Sequence, residues 1–225
     1  MQAGGHEDAF VFEGGRVTKE VKEPEAQFYT NLYAEGADET LVSLRPMVPR
    51  FYGSEQRGDK TYVVMENLCE GLAAPCIMDC KLGRVAWAPG YSAEKIAHQV
   101  YKGDKTTSNL LGFRISGQVI RDPQGTVVKS WMKGEGFFGI SGANISQVFT
   151  DFVTIDGRVR YDVVQEFRDK TLAYTNWFIG QHELHFVATS VLYVYDQAAE
   201  GANVSVRLID FAHVLPGNGP DHSEF

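Results

Sequence analysis

Cysteine is scarce. The 225-residue chain has three, Cys69, Cys76 and Cys80. An odd, low number argues against a disulfide framework and fits a reducing compartment. Cys76 and Cys80 stand four apart with no second Cys or His pair at ligand spacing, so they read as structural thiols and not as a zinc site. Positive charge is also in deficit: 21 Lys and Arg against 29 Asp and Glu leave a formal net charge of −8. That excludes broad, sequence-independent nucleic-acid binding, which needs a basic surface. It leaves room for a small anionic ligand, since a few lysines focused in one cleft can hold a phosphate on an acidic protein. No run approaches the roughly 18 consecutive apolar residues of a membrane-spanning helix. Met1–Asp8 lacks the apolar centre of a secretory signal, and no internal repeat or low-complexity tract is present.

What is there suits a globular chain. Apolar residues make up 44% and aromatics 12% of the sequence, enough for the core of one domain, two-lobed at most at this length. Val11–Phe12 and Val17–Val21 flank Gly14-Gly15 and predict a β-hairpin. Pro24 opens a helix through Ala34, with Gly36 as a candidate C-cap. Phe51–Tyr52 and Thr61–Leu68 read as strands around a polar turn, Gly53–Lys60. Pro75–Leu82 reads as a strand that is apolar except for Asp79 and Lys81. Ser92 caps a helix expected to run to Lys102, with Gly103 just past its end. Phe113–Ile120 and Thr126–Trp131 form a second hairpin around Asp122-Pro123-Gln124-Gly125. Two helical faces follow, one on Ile145, Val148, Phe149, Phe152 and Val153, the other on Val163, Val164, Phe167, Thr171, Tyr174 and Phe178. Leu184–Tyr195 and Val204–Phe211 close the chain as strands. The class is α+β.

The chemistry concentrates at Pro75-Cys76-Ile77-Met78-Asp79-Cys80-Lys81-Leu82-Gly83. Asp79 and Lys81 are two apart on a strand, so their side chains leave the same face. An acid and a base held together at the edge of a core suit phosphoryl transfer, which needs positioning and charge stabilisation more than a covalent nucleophile. By spacing alone a structural ion pair explains them equally well. The helix from Ser92 offers a second signal. Lys95, His98, Gln99 and Lys102 fall at i, i+3, i+4 and i+7 and form one polar stripe, with Ala93, Ile96, Ala97 and Val100 expected on the core side. An ordinary amphipathic surface helix has the same pattern, but this stripe holds two lysines and no acid.

Pro75, Asp79, Lys81 and Gly83 together spell Pro-x-x-x-Asp-x-Lys-x-Gly, and on this motif the chain resembles the inositol polyphosphate kinase family. Ser190-Val191-Leu192 is similar to that family's Ser-Leu-Leu element and Ile209-Asp210-Phe211-Ala212-His213 to its Ile-Asp-Phe-Ala-His element. Ser92–Gln99 and Thr106–Gly117 look most like the multikinases of the family. Three separated motifs in the right order, spanning about Val17 to Phe225, make the resemblance specific. It implies a two-lobed, reduced protein-kinase-like fold with antiparallel sheets in both lobes. Residues 1–225 would form one catalytic domain, about 1–68 as N-lobe and hinge and 69–225 as C-lobe. The chain stops at Asp221-His222-Ser223-Glu224-Phe225 where relatives continue, so the C-lobe is expected to lack a final helix.

The resemblance further implies an ATP- and Mg²⁺-dependent kinase that converts inositol trisphosphate to the tetrakis- and pentakisphosphates. Lys19 matches the lysine on the ATP phosphates, with Glu25 as its helix partner. In Met65-Glu66-Asn67-Leu68, the carbonyl of Glu66 and the amide of Leu68 would meet adenine. Asp79 would act as a nucleotide ligand or a base, Lys81 would stabilise charge between phosphoryl group and substrate, and Asp210 would hold the metal. Lys95, Lys102 and His213 would grip substrate phosphates. Phe138-Gly139-Ile140 stands where many members have Tyr-Gly-Arg, so that basic contact is missing. The alternatives are an inositol hexakisphosphate kinase, a strict trisphosphate 3-kinase, or a silent scaffold of the same fold. The short gap from Gly103 to Asn109 leaves no room for the extra substrate lobe of the 3-kinases. A cytoplasmic or nuclear monomer that takes an inositol phosphate, with no nucleic-acid substrate, is expected.

Overall fold

The computed structural model describes residues 10–131 and 138–217. In chain order the elements are β1 (Phe10–Glu13), β2 (Arg16–Val21), α1 (Glu23–Leu32), α2 (Glu39–Leu44), β3 (Phe51–Arg57), β4 (Lys60–Glu66), β5 (Pro75–Leu82), α3 (Ala93–Lys105), α4 (Ser108–Leu111), β6 (Phe113–Arg121), β7 (Val127–Trp131), α5 (Ile145–Phe152), β8 (Thr154–Ile155), β9 (Arg158–Val159), α6 (Tyr161–Gly180), β10 (Leu184–Phe186), β11 (Ser190–Asp196), β12 (Val204–Ile209) and β13 (Val214–Pro216). Two antiparallel sheets organise them. The first has strand order β1-β2-β4-β3 and the second β12-β11-β5-β6-β7. Among the described residues no helix is long and apolar enough to cross a membrane.

The strand carrying Asp79 and Lys81 lies at the centre of the second sheet, paired with β11 on one side and β6 on the other. Period-2 alternation splits its residues between two environments. Cys76, Met78 and Cys80 join the main core together with Phe152, Val163, Phe167 and Tyr195. Ile77, on the face of Asp79 and Lys81, packs instead with Val119 and Val194, and Leu68, Cys69 and Leu72 cover that small cluster. The connection between the sheets therefore lies on the same face as the two charged residues. Gly83 ends the strand at φ +94° with its N–H on the carbonyl of Gly112 at 2.8 Å, a conformation that side-chain-bearing residues rarely adopt.

Helix α1 ties the first sheet to the second. Phe28 stacks on Phe211 at 4.6 Å, and Tyr29 contacts both Phe51 and Phe211 at 5.4 Å between ring centroids. Phe211 follows Asp210 directly, so this aromatic cluster holds the end of β12 against α1.

Four expectations need correction. β3 extends through Gly53–Arg57, where the polar sequence suggests a turn; these residues form an almost wholly exposed strand, and a bulge at its start shifts the register. Tyr33, not Gly36, caps α1. Gly103 lies buried inside α3 and not past its end: a Cβ there would come within 2.7 Å of Asn109 Oδ1, so the Asn109 side chain from α4 packs directly on the helix at this point. Finally, Leu184–Tyr195 is two strands, interrupted at Val187–Thr189 where Ala188 has φ +59°.

Candidate functional site

A cavity of about 630 Å³ opens between the end of β5, helix α3 and the segment after β12. Asp79 and Lys81 line it together with Asp210, His213, Lys102 and Arg114. Residues 131 positions apart in the chain are thus brought to one wall by β5 and the end of β12. Arg114 stands opposite Lys81 across the β5–β6 pair, and a bulge in β6 beside Asp79 places Ser116 at the cavity as well.

Lys19 lies behind the cavity wall. Its Nζ donates to Glu25 Oε1 and to Asp210 Oδ1, each at 2.7 Å. Burial works against the ammonium charge, but the two carboxylates overcome it and hold the Lys19 pKa above its ordinary value. Burial pushes the Glu25 carboxyl up; Lys19 pulls it back, Asp210 pushes it further up, and the backbone N–H of Phe211 donates to it. The expected Lys19–Glu25 pair is present. Its extension to Asp210 was not read from the sequence, because 191 residues separate the partners.

Lys81 Nζ donates to the carbonyl of Ala188 at 2.7 Å. Asp79 and Arg114 are each 6% exposed. Burial lowers the Arg114 pKa and the Asp79 carboxylate opposes that shift, so the two charges sit within each other's field. Arg114 Nη1 donates to Ser108 Oγ at 3.0 Å, which fixes the guanidinium at the back of the cavity. No local pattern marks this arginine as a site residue, because its nearness to Asp79 comes from the pairing of β5 with β6.

His213 Nε2 and the Tyr91 hydroxyl are 2.9 Å apart. Burial, then Lys22 and Lys81, lower the His213 pKa and favour the neutral imidazole, which shares one hydrogen bond with the Tyr91 hydroxyl. Tyr91 was also unread, since nothing in its sequence neighbourhood points across 122 residues to His213.

Helix α3 differs from its expected orientation. Ala93, Ala97 and Val100 are exposed and Ile96 is half-buried. His98, Gln99 and Lys102 line the cavity instead. The helix is held at its ends and not by an apolar stripe: Ser92 Oγ caps Lys95 N at 3.3 Å, and Thr106 Oγ1 donates to the carbonyl of Lys102 at 2.7 Å. Lys95 does not line the cavity; its Nζ lies 5.6 Å from the centre of the Tyr91 ring.

Glu66 and Leu68 also stay outside this cavity, at the connection between the sheets. The N–H of Glu66 donates to the carbonyl of Arg50 at 2.8 Å and that of Asn67 to Gly15 at 3.0 Å, while Leu68 packs over Ile77. Among the described residues no group of three or more His, Cys, Asp and Glu side chains could hold a metal by itself. Asp210 offers a partly exposed carboxylate that could bind a hard divalent cation whose remaining ligands come from phosphate oxygens and water.

The family profile described as inositol polyphosphate kinase matches residues 62–224. Inositol polyphosphate multikinase IPK2 of Oryza sativa subsp. indica is 32% identical, with 89% of this chain and 76% of the relative covered. Inositol polyphosphate multikinase of Rattus norvegicus is 29% identical over 84% of this chain; the chain spans about half, 49%, of that relative. A solved inositol phosphate multikinase structure superposes with a TM-score of 0.71 at 27% identity, covering 88% of this chain and 91% of the other. The S. cerevisiae inositol phosphate multikinase Ipk2, solved with ADP and Mn²⁺, gives a TM-score of 0.72 over 92% and 91%; at 21% identity it speaks to the fold alone.

Proposed function

Because the chain belongs to the inositol polyphosphate kinase family, we propose that this cavity transfers the γ-phosphoryl group of ATP to a hydroxyl of an inositol phosphate, in the manner of a multikinase. The observation that carries this reading is the convergence of Asp79, Lys81 and Asp210 with the basic residues Lys102 and Arg114 on one cavity. Adenine would lie at Glu66–Leu68, over the apolar cluster of Ile77, Val119 and Val194. Lys19 would meet the nucleotide phosphates from its place beside Asp210. Asp210 would hold a divalent cation, Mg²⁺ in the cell, which would offset the negative charge of the nucleotide phosphates.

In the transfer, the substrate hydroxyl oxygen forms a bond to the γ-phosphorus as the bond to the β–γ bridging oxygen breaks; ADP leaves and the hydroxyl proton is released to water. Lys81 would stabilise charge on the moving phosphoryl group. A loose transition state asks little basicity of the group that takes the hydroxyl proton. Asp79, buried beside Arg114, would therefore serve chiefly to orient the nucleotide and Lys81. Lys102, Arg114 and His213 would bind the substrate's phosphates, with Lys95 at the rim. This is a wide cavity, with Lys81, Lys102 and Arg114 among its lining residues and no added lobe between Gly103 and Asn109, which favours several inositol phosphates over one. The protein would act as a monomer in the cytoplasm or nucleus.

Product identity tests this reading. After incubation of inositol 1,4,5-trisphosphate with MgATP, tetrakis- and then pentakisphosphate should accumulate. A single tetrakisphosphate would indicate a strict 3-kinase, and pyrophosphates made only from the hexakisphosphate would indicate a hexakisphosphate kinase. Mg²⁺-dependent stabilisation by ATP without any product would indicate a scaffold.

A further inference from the structure

The interruption between β10 and β11 is three residues long, and each residue makes a hydrogen bond to the site. The N–H of Val187 donates to the carbonyl of His213 at 2.9 Å. The carbonyl of Ala188 accepts from Lys81 Nζ at 2.7 Å. The Thr189 hydroxyl donates to the carbonyl of Asp210 at 3.2 Å, and the carbonyl of Thr189 accepts from the N–H of Leu82 at 2.8 Å. Among the described residues three that are not glycine have positive φ, and two of them, Ala188 at +59° and Asp210 at +66°, lie on either side of the Thr189 hydrogen bond. Side chains with a Cβ resist this conformation, so it persists where the surroundings enforce it. Here the left-handed turn at Ala188 takes its carbonyl out of the sheet ladder and aims it at the lysine ammonium.

We infer that Val187–Thr189 is a backbone strap that positions Lys81, Asp210 and His213 as one unit, with Ala188 and Thr189 as positioning residues. An ammonium has three donors. One is taken by Ala188, which fixes Nζ and directs the others into the cavity. Thr189, 1% exposed, holds the turn that presents the Asp210 carboxylate and, through Leu82, the end of the strand that carries Lys81. A displacement at Ala188 therefore moves the charge-stabilising lysine relative to the cation ligand.

The role of the strap in turnover rests on the kinase reading above, so Lys81→Ala and Asp210→Asn are assayed alongside; if both keep wild-type turnover, that reading fails and not the strap. Glycine adopts the left-handed conformation freely, so Ala188→Gly should keep kcat within about 3-fold. Ala188→Val should lower kcat ~10- to 100-fold, as small misplacements of a reacting group do, with KM for both substrates changed much less. If Ala188→Val does not fold, the Thr189 pair decides: Thr189→Val should lower kcat ~2- to 12-fold, the weight of one hydrogen bond, and Thr189→Ser should restore it. A folded Ala188→Val with full kcat would overturn the proposal. So would a folded Thr189→Val with unchanged kcat, or a Thr189→Ser as impaired as Thr189→Val.

Discussion

Replacing Lys19 with methionine keeps the length of the side chain and removes its charge. The side chains of Lys19 and Glu25 are 15% and 6% exposed, and that of Asp210 is 37% exposed. Removing one partner of a buried ion pair typically costs about 3–5 kcal/mol, because the other charge is left unpaired. Asp210 can be reached by water, which discounts its share, so the low end, about 3 kcal/mol, applies. For a chain of this size that corresponds to a Tm lowered by ~6–12 °C. The pH dependence has a definite sign. The Lys19 pKa is raised above 10.5, so its own contribution is fully present throughout pH 5–8 and does not vary there. The Glu25 pKa is raised chiefly by burial, and Lys19 is what pulls it back. Without Lys19 it rises further, and an acid whose folded pKa is raised loses stability as pH climbs from its ordinary pKa toward the raised one. The deficit of Lys19→Met should therefore be largest at pH 8 and shrink toward pH 5. Thermal unfolding of both proteins at four pH values, without nucleotide, reads this directly. A deficit below ~2 °C at pH 8, or one that is equal at all four pH values, would refute the reasoning.

Two further substitutions separate binding from chemistry. Tyr91→Phe removes the hydroxyl that meets His213 Nε2; KM for the inositol phosphate should rise ~2- to 10-fold with kcat unchanged, measured by steady-state kinetics at saturating ATP. Arg114→Gln should raise the same KM ~10- to 100-fold, the weight of a charge-assisted contact to phosphate, and leave KM for ATP nearly unaltered; an equal effect on both substrates would remove Arg114 from the substrate side.

The residues legible in the sequence were those whose roles are local. Pro75–Leu82 announced itself as a strand because apolar residues surround two charges at period 2, and the structure has β5 over those same residues. The Gly14-Gly15 hairpin and the Ser92 cap were equally readable, being set by backbone conformation and by one side-chain hydrogen bond. What was missed depends on distant partners. The bond from Lys19 to Asp210 and that from Tyr91 to His213 each join segments that no local pattern connects. The break at Ala188 was hidden because alanine gives no sign of a left-handed turn; the carbonyl's tie to Lys81 enforces it. Helix α3 misled for a different reason. Its apolar residues were assumed to face the core, but α3 stands at the rim of a cavity whose polar lining takes that side. Gly103 looked like a stop signal, whereas it is the point where Asn109 approaches the helix.

The most direct test is single-turnover transfer of labelled γ-phosphate from ATP to inositol 1,4,5-trisphosphate by the wild type, Lys81→Ala and Asp210→Asn. The geometry predicts a labelled tetrakisphosphate from the wild type and a transfer rate at least ~10²-fold lower in each folded variant, since one removes the charge beside the transferring group and the other the carboxylate that would hold the cation. Undiminished transfer in both variants would contradict the assignment of this cavity as the site of phosphoryl transfer.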